Sequence, residues 1–173
     1  GVPPVGSTGV AIFFFNDTAT TEIYTIARAA SAVMGIGAAW LMYFAGKRLY
    51  GTAAGLATAA FMCFTFLPVH YSHFALNDVP TLLPLALGIF GLAGIINKGR
   101  LLDYSIAGIG LGLATATKYT AAALCVALAV AWLIRFFEDK QRGKREFLYL
   151  LGAAGLSLVA FFIANPYALL DAD

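Results

Sequence analysis

The sequence predicts an all-α fold, a polytopic membrane bundle of about six transmembrane helices. Hydrophobic residues make up 61% of the chain and charged residues only 12%, and the mean hydropathy is +0.82. Such a chain has too little polar surface for a soluble domain. Its apolar stretches, separated by short polar breaks, approach the roughly 20-residue length that crosses a hydrocarbon core. We therefore expect an integral membrane protein.

Six apolar stretches define the predicted spans. They cover residues 26–46, 49–75, 79–96, 104–117, 121–137 and 147–164. Small residues are abundant in them and allow membrane helices to approach closely. No strand is predicted before Gly108, Gly110 and Gly112, so we interpret these glycines as helix-packing positions rather than a phosphate-binding loop.

The charge pattern determines how often residues 104–137 cross the membrane. A single crossing would separate Lys98 from the basic residues at 135–145, whereas two crossings, broken at Lys118, place them on one side together with residues 47–48. Short cytoplasmic loops are enriched in Lys and Arg, so two crossings are favoured. Nine of the eleven basic residues are then cytoplasmic, which leaves Arg28 and Lys118 at the outer face.

This topology predicts a polar site at the outer ends of the spans. The residues concerned are His70, His73, Asp78, Lys118, Tyr119, Asn165 and Tyr167. A carboxylate costs about 2.5–3.5 kcal/mol at the centre of a bilayer, so Asp78 is expected to face a wet cavity, a cation or a substrate. Alternatively, Asn77 or Asp78 simply caps the helix that begins at Val79, and capping does not exclude binding.

Lys118, His70 and His73 can each be explained without a role in binding substrate or metal. Lys118 can extend to lipid phosphate as an interfacial anchor, or it can bind an anionic substrate phosphate or pair with Asp78. His70 and His73 could share a helical face near Asp78, but no H-E-x-x-H pattern is present. We therefore assign no metal ligands and leave a divalent metal open as a cofactor.

The remaining polar features indicate ordinary structural roles. Cys63 and Cys125 both fall within predicted spans, so they favour neither a disulfide framework nor a thiolate metal site. The basic residues 140–145 are typical of a solvated cytoplasmic loop, and nucleic acid is not an expected partner.

The N-terminal segment, residues 1–25, does not resemble the rest of the chain. Residues 16–25 match a translation of the short-read sequencing adapter AATGATACGGCGACCACCGAGATCTACAC, and the phenylalanines at 13–15 are consistent with a T-rich tract before it. We interpret residues 13–25 as an assembly artefact. On this interpretation Asp17 and Glu22 are not catalytic carboxylates, and the transmembrane domain comprises residues 26–173.

From Ile26 onward the sequence resembles the GT-C superfamily of membrane glycosyltransferases, specifically the dolichyl-phosphate-mannose protein mannosyltransferases and their bacterial aminoarabinose-transferase relatives. The resemblance rests on the order and spacing of five short motifs. These are R-x-x-S-A-x-x-G at 28–35, GKRLYG at 46–51, SHFALNDVP at 72–80, GLATATKY at 112–119 and NPYALLD at 165–171.

The resemblance implies inverting transfer of a sugar from a polyprenyl-phosphate carrier to a protein, lipid or glycan acceptor on the outer side of the membrane. It implies that Lys118 stabilises the lipid phosphate, that Asp78 is a supporting acid, and that His73, Asn77 and Tyr119 contact substrate. The family's principal catalytic acid lies in an outer loop before the span that begins near Ile26, where the adapter-like residues stand. A prokaryotic plasma membrane is the expected location.

Two further expectations and two alternatives accompany this interpretation. The family continues with additional spans, so we expect this chain to be a fragment with little or no activity alone. A small-solute or ion transporter would use Asp78 and Lys118 as a coupling pair, but no inverted repeat is visible. A noncatalytic membrane scaffold would tolerate loss of both side chains.

Overall fold

The computed structural model describes residues 17–64 and 78–166, with side chains described over residues 25–64 and 80–166. Within these ranges the chain forms six α-helices and one 3-10 helix, which confirms the all-α prediction. The helices are α1 (Asp17–Tyr50), α2 (Thr52–Phe64), α3 (Asp78–Asn97), α4 (Leu101–Thr117), the 3-10 helix Tyr119–Ala123, α5 (Leu124–Glu138) and α6 (Lys140–Ala164).

Each predicted apolar stretch corresponds to a helix, but the helices differ in length. Four segments of the described chain are long and apolar enough to cross a membrane: Thr25–Tyr50, Pro80–Asn97, Tyr119–Glu138 and Lys140–Ala164. The fourth predicted span is short, as expected, because α4 has 17 residues. The second is described only as far as Phe64.

Helices α1 and α2 form a tight hairpin around Gly51. Gly51 has φ +88°, a conformation that is accessible to glycine at the end of a helix and rare for other residues. Its N–H donates to the Lys47 carbonyl at 3.1 Å and ends α1. One turn away on either side, Gly46 and Gly55 let the two backbones approach, since a Cβ on Gly55 would lie 2.6 Å from the Tyr43 carbonyl oxygen.

Helix α4 lies between α3 and α6 and contacts both through its glycines. Gly110 faces Gly88 of α3, whereas Gly108 and Gly112 face the backbone of α6 at Ala153 and Ser157. A side chain at any of these α4 positions would collide with a neighbouring helix. The interpretation of these glycines as packing positions is confirmed.

The chain breaks between α4 and α5, as the charge pattern predicts. Lys118 is extended, with φ −150° and ψ 113°, and α5 then returns antiparallel to α4. At the far end of α5, Arg135 donates to the Lys98 carbonyl in the loop that precedes α4. Residues 104–137 therefore form two helical segments rather than one long helix.

The prediction that residues 140–145 form a loop is wrong, because these residues form the first turns of α6. The Asp139 side chain caps the helix by accepting hydrogen bonds from the backbone N–H groups of Gln141, at 3.0 Å, and Arg142, at 3.2 Å. Trp132 of α5 donates from Nε1 to the Gly143 carbonyl at 3.0 Å. A helix cap and a close hairpin contact therefore keep this basic segment helical.

Candidate functional site

The two ends of the bundle carry very different charge. Nine of the eleven Lys and Arg residues lie at the ends of α1, α3, α5 and in the first turns of α6, which we call the charged end. They are Lys47, Arg48, Lys98, Arg100, Arg135, Lys140, Arg142, Lys144 and Arg145. The opposite end, which we call the Lys118 end, contains Lys118, Tyr119, Asn165 and the first turn of α3.

The register of α3 and α4 determines where Lys118 lies along the axis of the bundle. Gly91 faces Ala107, and one turn further along Gly88 faces Gly110, so the helices are antiparallel. Extending this register by eight residues in each helix brings Lys118 level with Pro80, in the first turn of α3. The break after α4 is therefore level with the start of α3.

The register of α1 and α3 places two buried hydroxyl groups, those of Ser31 and Thr81, near the level of Lys118 along the bundle axis. Gly37 faces Leu83 near the middle of α1, and Arg48 approaches Gly94 near its end, so these two helices run parallel. Following this register back from Gly37 places Ser31 level with the start of α3. Ser31 is 3% exposed and Thr81 of α3 is 6% exposed. Sequence reasoning missed both, although Ser31 is part of the R-x-x-S-A motif.

Lys118 and Tyr119 occupy an open corner of the bundle. The Lys118 N–H donates to the Ala114 carbonyl at 2.9 Å, and the Lys118 carbonyl accepts from the Ala121 N–H at 2.9 Å. Both side chains are exposed. The Tyr119 ring lies 6.3 Å from the Phe161 ring of α6, measured between centroids. The two backbone hydrogen bonds fix the position of Lys118 at the break.

Of the predicted site residues, the structure describes the side chains of Lys118 and Tyr119. Lys118 is level with the first turn of α3, whose first residue is Asp78. The side chain of Asp78 and all of His73 and Asn77 lie outside the described residues. Among the side chains that are described, no three His, Cys, Asp or Glu residues cluster as metal ligands would.

The Lys118 end suits an anionic group chemically. Lys118 is an exposed residue level with the first turn of α3, a 20-residue helix, and the N-terminal end of a helix carries partial positive charge. The neighbouring phenol of Tyr119 offers an aromatic face and a hydroxyl group.

At the charged end, a buried ion pair that the sequence did not predict joins α5 to α6. Arg135 contacts Glu146 through two hydrogen bonds, Nη2 to Oε1 at 2.8 Å and Nε to Oε2 at 3.2 Å. The Tyr104 hydroxyl donates to Glu146 Oε2 at 3.2 Å, and Arg135 Nη2 also donates to the Lys98 carbonyl at 3.2 Å. One carboxylate thus connects α4, α5 and α6.

A second ion pair at the charged end joins α1 to α4. Arg48 Nη1 lies 3.2 Å from Asp103 Oδ1, and the guanidinium carbon lies 3.7 Å from the centroid of the Phe90 ring. Asn97 donates from Nδ2 to the Arg48 carbonyl at 2.8 Å. Ionisable residues beside apolar stretches often pair with one another, and this tendency is the sequence signal that could have predicted the two ion pairs. Because Asp103 and Glu146 are both buried and paired, the geometry favours a structural role for them.

Comparison with known families gives one match of wide coverage. The family model described as dolichyl-phosphate-mannose-protein mannosyltransferase matches residues 10–164. Neither the curated proteins nor the solved structures give a significant match. The matched range includes every described helix, together with Lys118 and Tyr119.

Proposed function

The chain belongs to the dolichyl-phosphate-mannose-protein mannosyltransferase family, and on that premise we propose that its Lys118 end takes part in sugar transfer. The family makes it an integral membrane glycosyltransferase chain that depends on a polyprenyl-phosphate-linked sugar. It also implies, in general terms, a protein acceptor. Membership favours a transferase over the transporter and scaffold alternatives.

The proposed reaction is an inverting displacement at the anomeric carbon. The acceptor hydroxyl oxygen forms a bond to that carbon while the bond from the carbon to the phosphate oxygen breaks, and the polyprenyl phosphate leaves with the electron pair. A base removes the hydroxyl proton. Since negative charge grows on the leaving phosphate, a fixed cation beside it lowers the barrier.

Lys118 is the proposed source of that cation. Asp78 is proposed as a supporting acid that orients the sugar, a basic group or a divalent metal, and His73, Asn77 and Tyr119 are proposed substrate contacts. The observation that carries this assignment is the position of Lys118, an exposed cation at a helix break, level with the first turn of α3 and at the end opposite nine other cations.

The side of the membrane follows from the same charge distribution. Cytoplasmic loops of membrane proteins are enriched in Lys and Arg, so we propose that the charged end is cytoplasmic and the Lys118 end faces the outer side. The acceptor is then modified on the outer side, and a prokaryotic plasma membrane is the proposed location.

The test is sugar transfer from a polyprenyl-phosphate donor by membranes that contain the intact gene product. We expect Lys118→Ala to lower kcat by about 10²- to 10³-fold, the usual cost of removing one group that stabilises developing charge. Lys118→Arg keeps the positive charge and should recover part of the loss.

Thr120→Ala is the matched control, because Thr120 is also exposed and lies two residues from Lys118. It should transfer sugar at the parental rate. Equal rates for the parent, Lys118→Ala and Thr120→Ala, at equal protein levels in the membrane, would contradict the assignment of Lys118.

A further inference from the structure

We propose that the charged end binds anionic phospholipid headgroups through six exposed cations, which we call the basic surface. They are Lys47, Lys98, Arg100, Lys140, Lys144 and Arg145. The proposal does not depend on the sugar-transfer reaction, which is assigned to the other end of the bundle.

The ion pairs at this end leave most of its positive charge unbalanced. Arg48 pairs with Asp103, Arg135 with Glu146, and Arg142 with Asp139. The six cations of the basic surface form no salt bridge with any described residue, and Glu138 is the remaining described acid at this end. The described charged end therefore carries a net charge of about +5, which favours an anionic partner.

The position of the cations on α6 argues against a purely structural role. Lys140 lies in the first turn of that helix, and Lys144 and Arg145 lie in the second. The partial positive charge of a helix N-terminus is unfavourable for cations, most of all in the first turn. An anion bound beside them would offset this repulsion.

Apolar side chains beside the cations favour a lipid over a soluble polyanion. Leu101 and Leu102, which directly follow Arg100, are 55% and 67% exposed. Phe137 is 76% exposed, and Leu148, near Arg145, is 66% exposed. A nucleic acid or an acidic protein loop would leave these side chains in water, whereas a phospholipid offers a phosphate to the cations and acyl chains to the apolar groups.

Trp132 provides a reporter at this surface. Its indole Nε1 donates to the Gly143 carbonyl, within the same turns of α6 as the basic residues. The chain contains two tryptophans, and the other, Trp40, lies two turns before Arg48 in α1. In a Trp40→Phe background, lipid-dependent fluorescence quenching therefore reports on Trp132 alone.

The experiment compares quenching of Trp132 in phosphatidylcholine vesicles that contain either brominated phosphatidylglycerol or brominated phosphatidylcholine. We expect half-maximal quenching at a lower mole fraction of the anionic lipid. Replacement of Lys140, Lys144 and Arg145 by Gln should reduce this preference, by up to about fivefold for each charge removed. In the parent, 1 M salt should also reduce it, because screening is then much stronger.

Arg28→Gln is the matched control, since it removes one exposed cation from the other end of α1 and should keep the preference. The salt titration uses unaltered Lys140, Lys144 and Arg145, so it tests the proposal even where the triple variant does not fold. Equal quenching by the two lipids at low salt would overturn the proposal. A preference that persists in a folded triple variant would overturn it as well.

Discussion

Arg135 holds Glu146 in a two-point salt bridge, 2.8 Å at the shorter contact, with the Glu146 side chain only 1% exposed. The Tyr104 hydroxyl donates to the same carboxylate. The ion pair therefore occupies the junction of α4, α5 and α6, where the chain reverses direction after α5. Charged groups that are buried in this way stabilise the fold only while each is paired.

Loss of this carboxylate should destabilise the bundle strongly. We expect Glu146→Ala to lower the free energy of unfolding by about 3–5 kcal/mol, because it leaves the Arg135 guanidinium buried without its partner. Unfolding by SDS in mixed micelles, followed by circular dichroism, measures the change.

The exposed pair at the start of α6 is the matched control. Arg142 and Asp139 are 3.7 Å apart with side chains 63% and 49% exposed, so Arg142→Ala should cost no more than about 1 kcal/mol. If Glu146→Ala and Arg142→Ala were equally mild, the buried pair would not stabilise the helix junction.

The glycines of α4 should tolerate substitution poorly. A Cβ at Gly112 would meet the Ser157 carbonyl oxygen of α6 and lie 2.9 Å from the Ala160 Cβ. We expect Gly112→Ala to cost about 1–3 kcal/mol by forcing the two helices apart. The same SDS unfolding measurement applies.

Gly155 of α6 offers the contrast, since nothing lies within 4 Å of a Cβ built there. Gly155→Ala should leave stability unchanged or raise it by about 0.4–1 kcal/mol, because alanine restricts the unfolded chain. A similar loss for both substitutions would argue against close packing of α4 on α6.

Asp78→Asn tests whether sugar transfer needs the negative charge at the first residue of α3. A carboxylate there interacts favourably with the helix dipole, so loss of the charge should cost about 0.3–1 kcal/mol in stability. We expect sugar transfer by the intact gene product to fall about 10- to 100-fold, the range seen when a group that orients a metal ligand is removed. Unchanged transfer would leave stabilisation of the helix end as the function of Asp78.

The adapter-like segment makes a prediction about the gene. We propose that residues 13–25 do not belong to the natural protein, so sequencing the locus without that adapter chemistry should give different codons before Ile26. We also propose that the outer loop before the first span supplies the acidic residue that removes the proton of the acceptor hydroxyl. Recovery of the same codons from genomic DNA would show that the segment is genuine.

The break at Lys118 shows how far charge and hydropathy lead. Residues 104–137 are apolar enough to form one long helix. Because short cytoplasmic loops are enriched in Lys and Arg, however, Lys98 and Arg135 are expected on the same side of the membrane, which requires two crossings. The structure has two antiparallel helices there. The prediction of a loop at residues 140–145 was wrong because composition does not reveal that Asp139 caps a helix there. That contact depends on local geometry.

The sequence by itself determined the membrane class, the helical segments, the break after α4 and the segregation of nine cations to one end. These properties follow from hydropathy and charge, which are counted along the chain. Only the tertiary structure decided that Lys118 lies level with the first turn of α3, that Gly108 and Gly112 face α6, and that Arg48 meets Asp103 across 55 residues. Such relationships depend on helix register and side-chain packing between distant segments, and a linear pattern does not encode them locally.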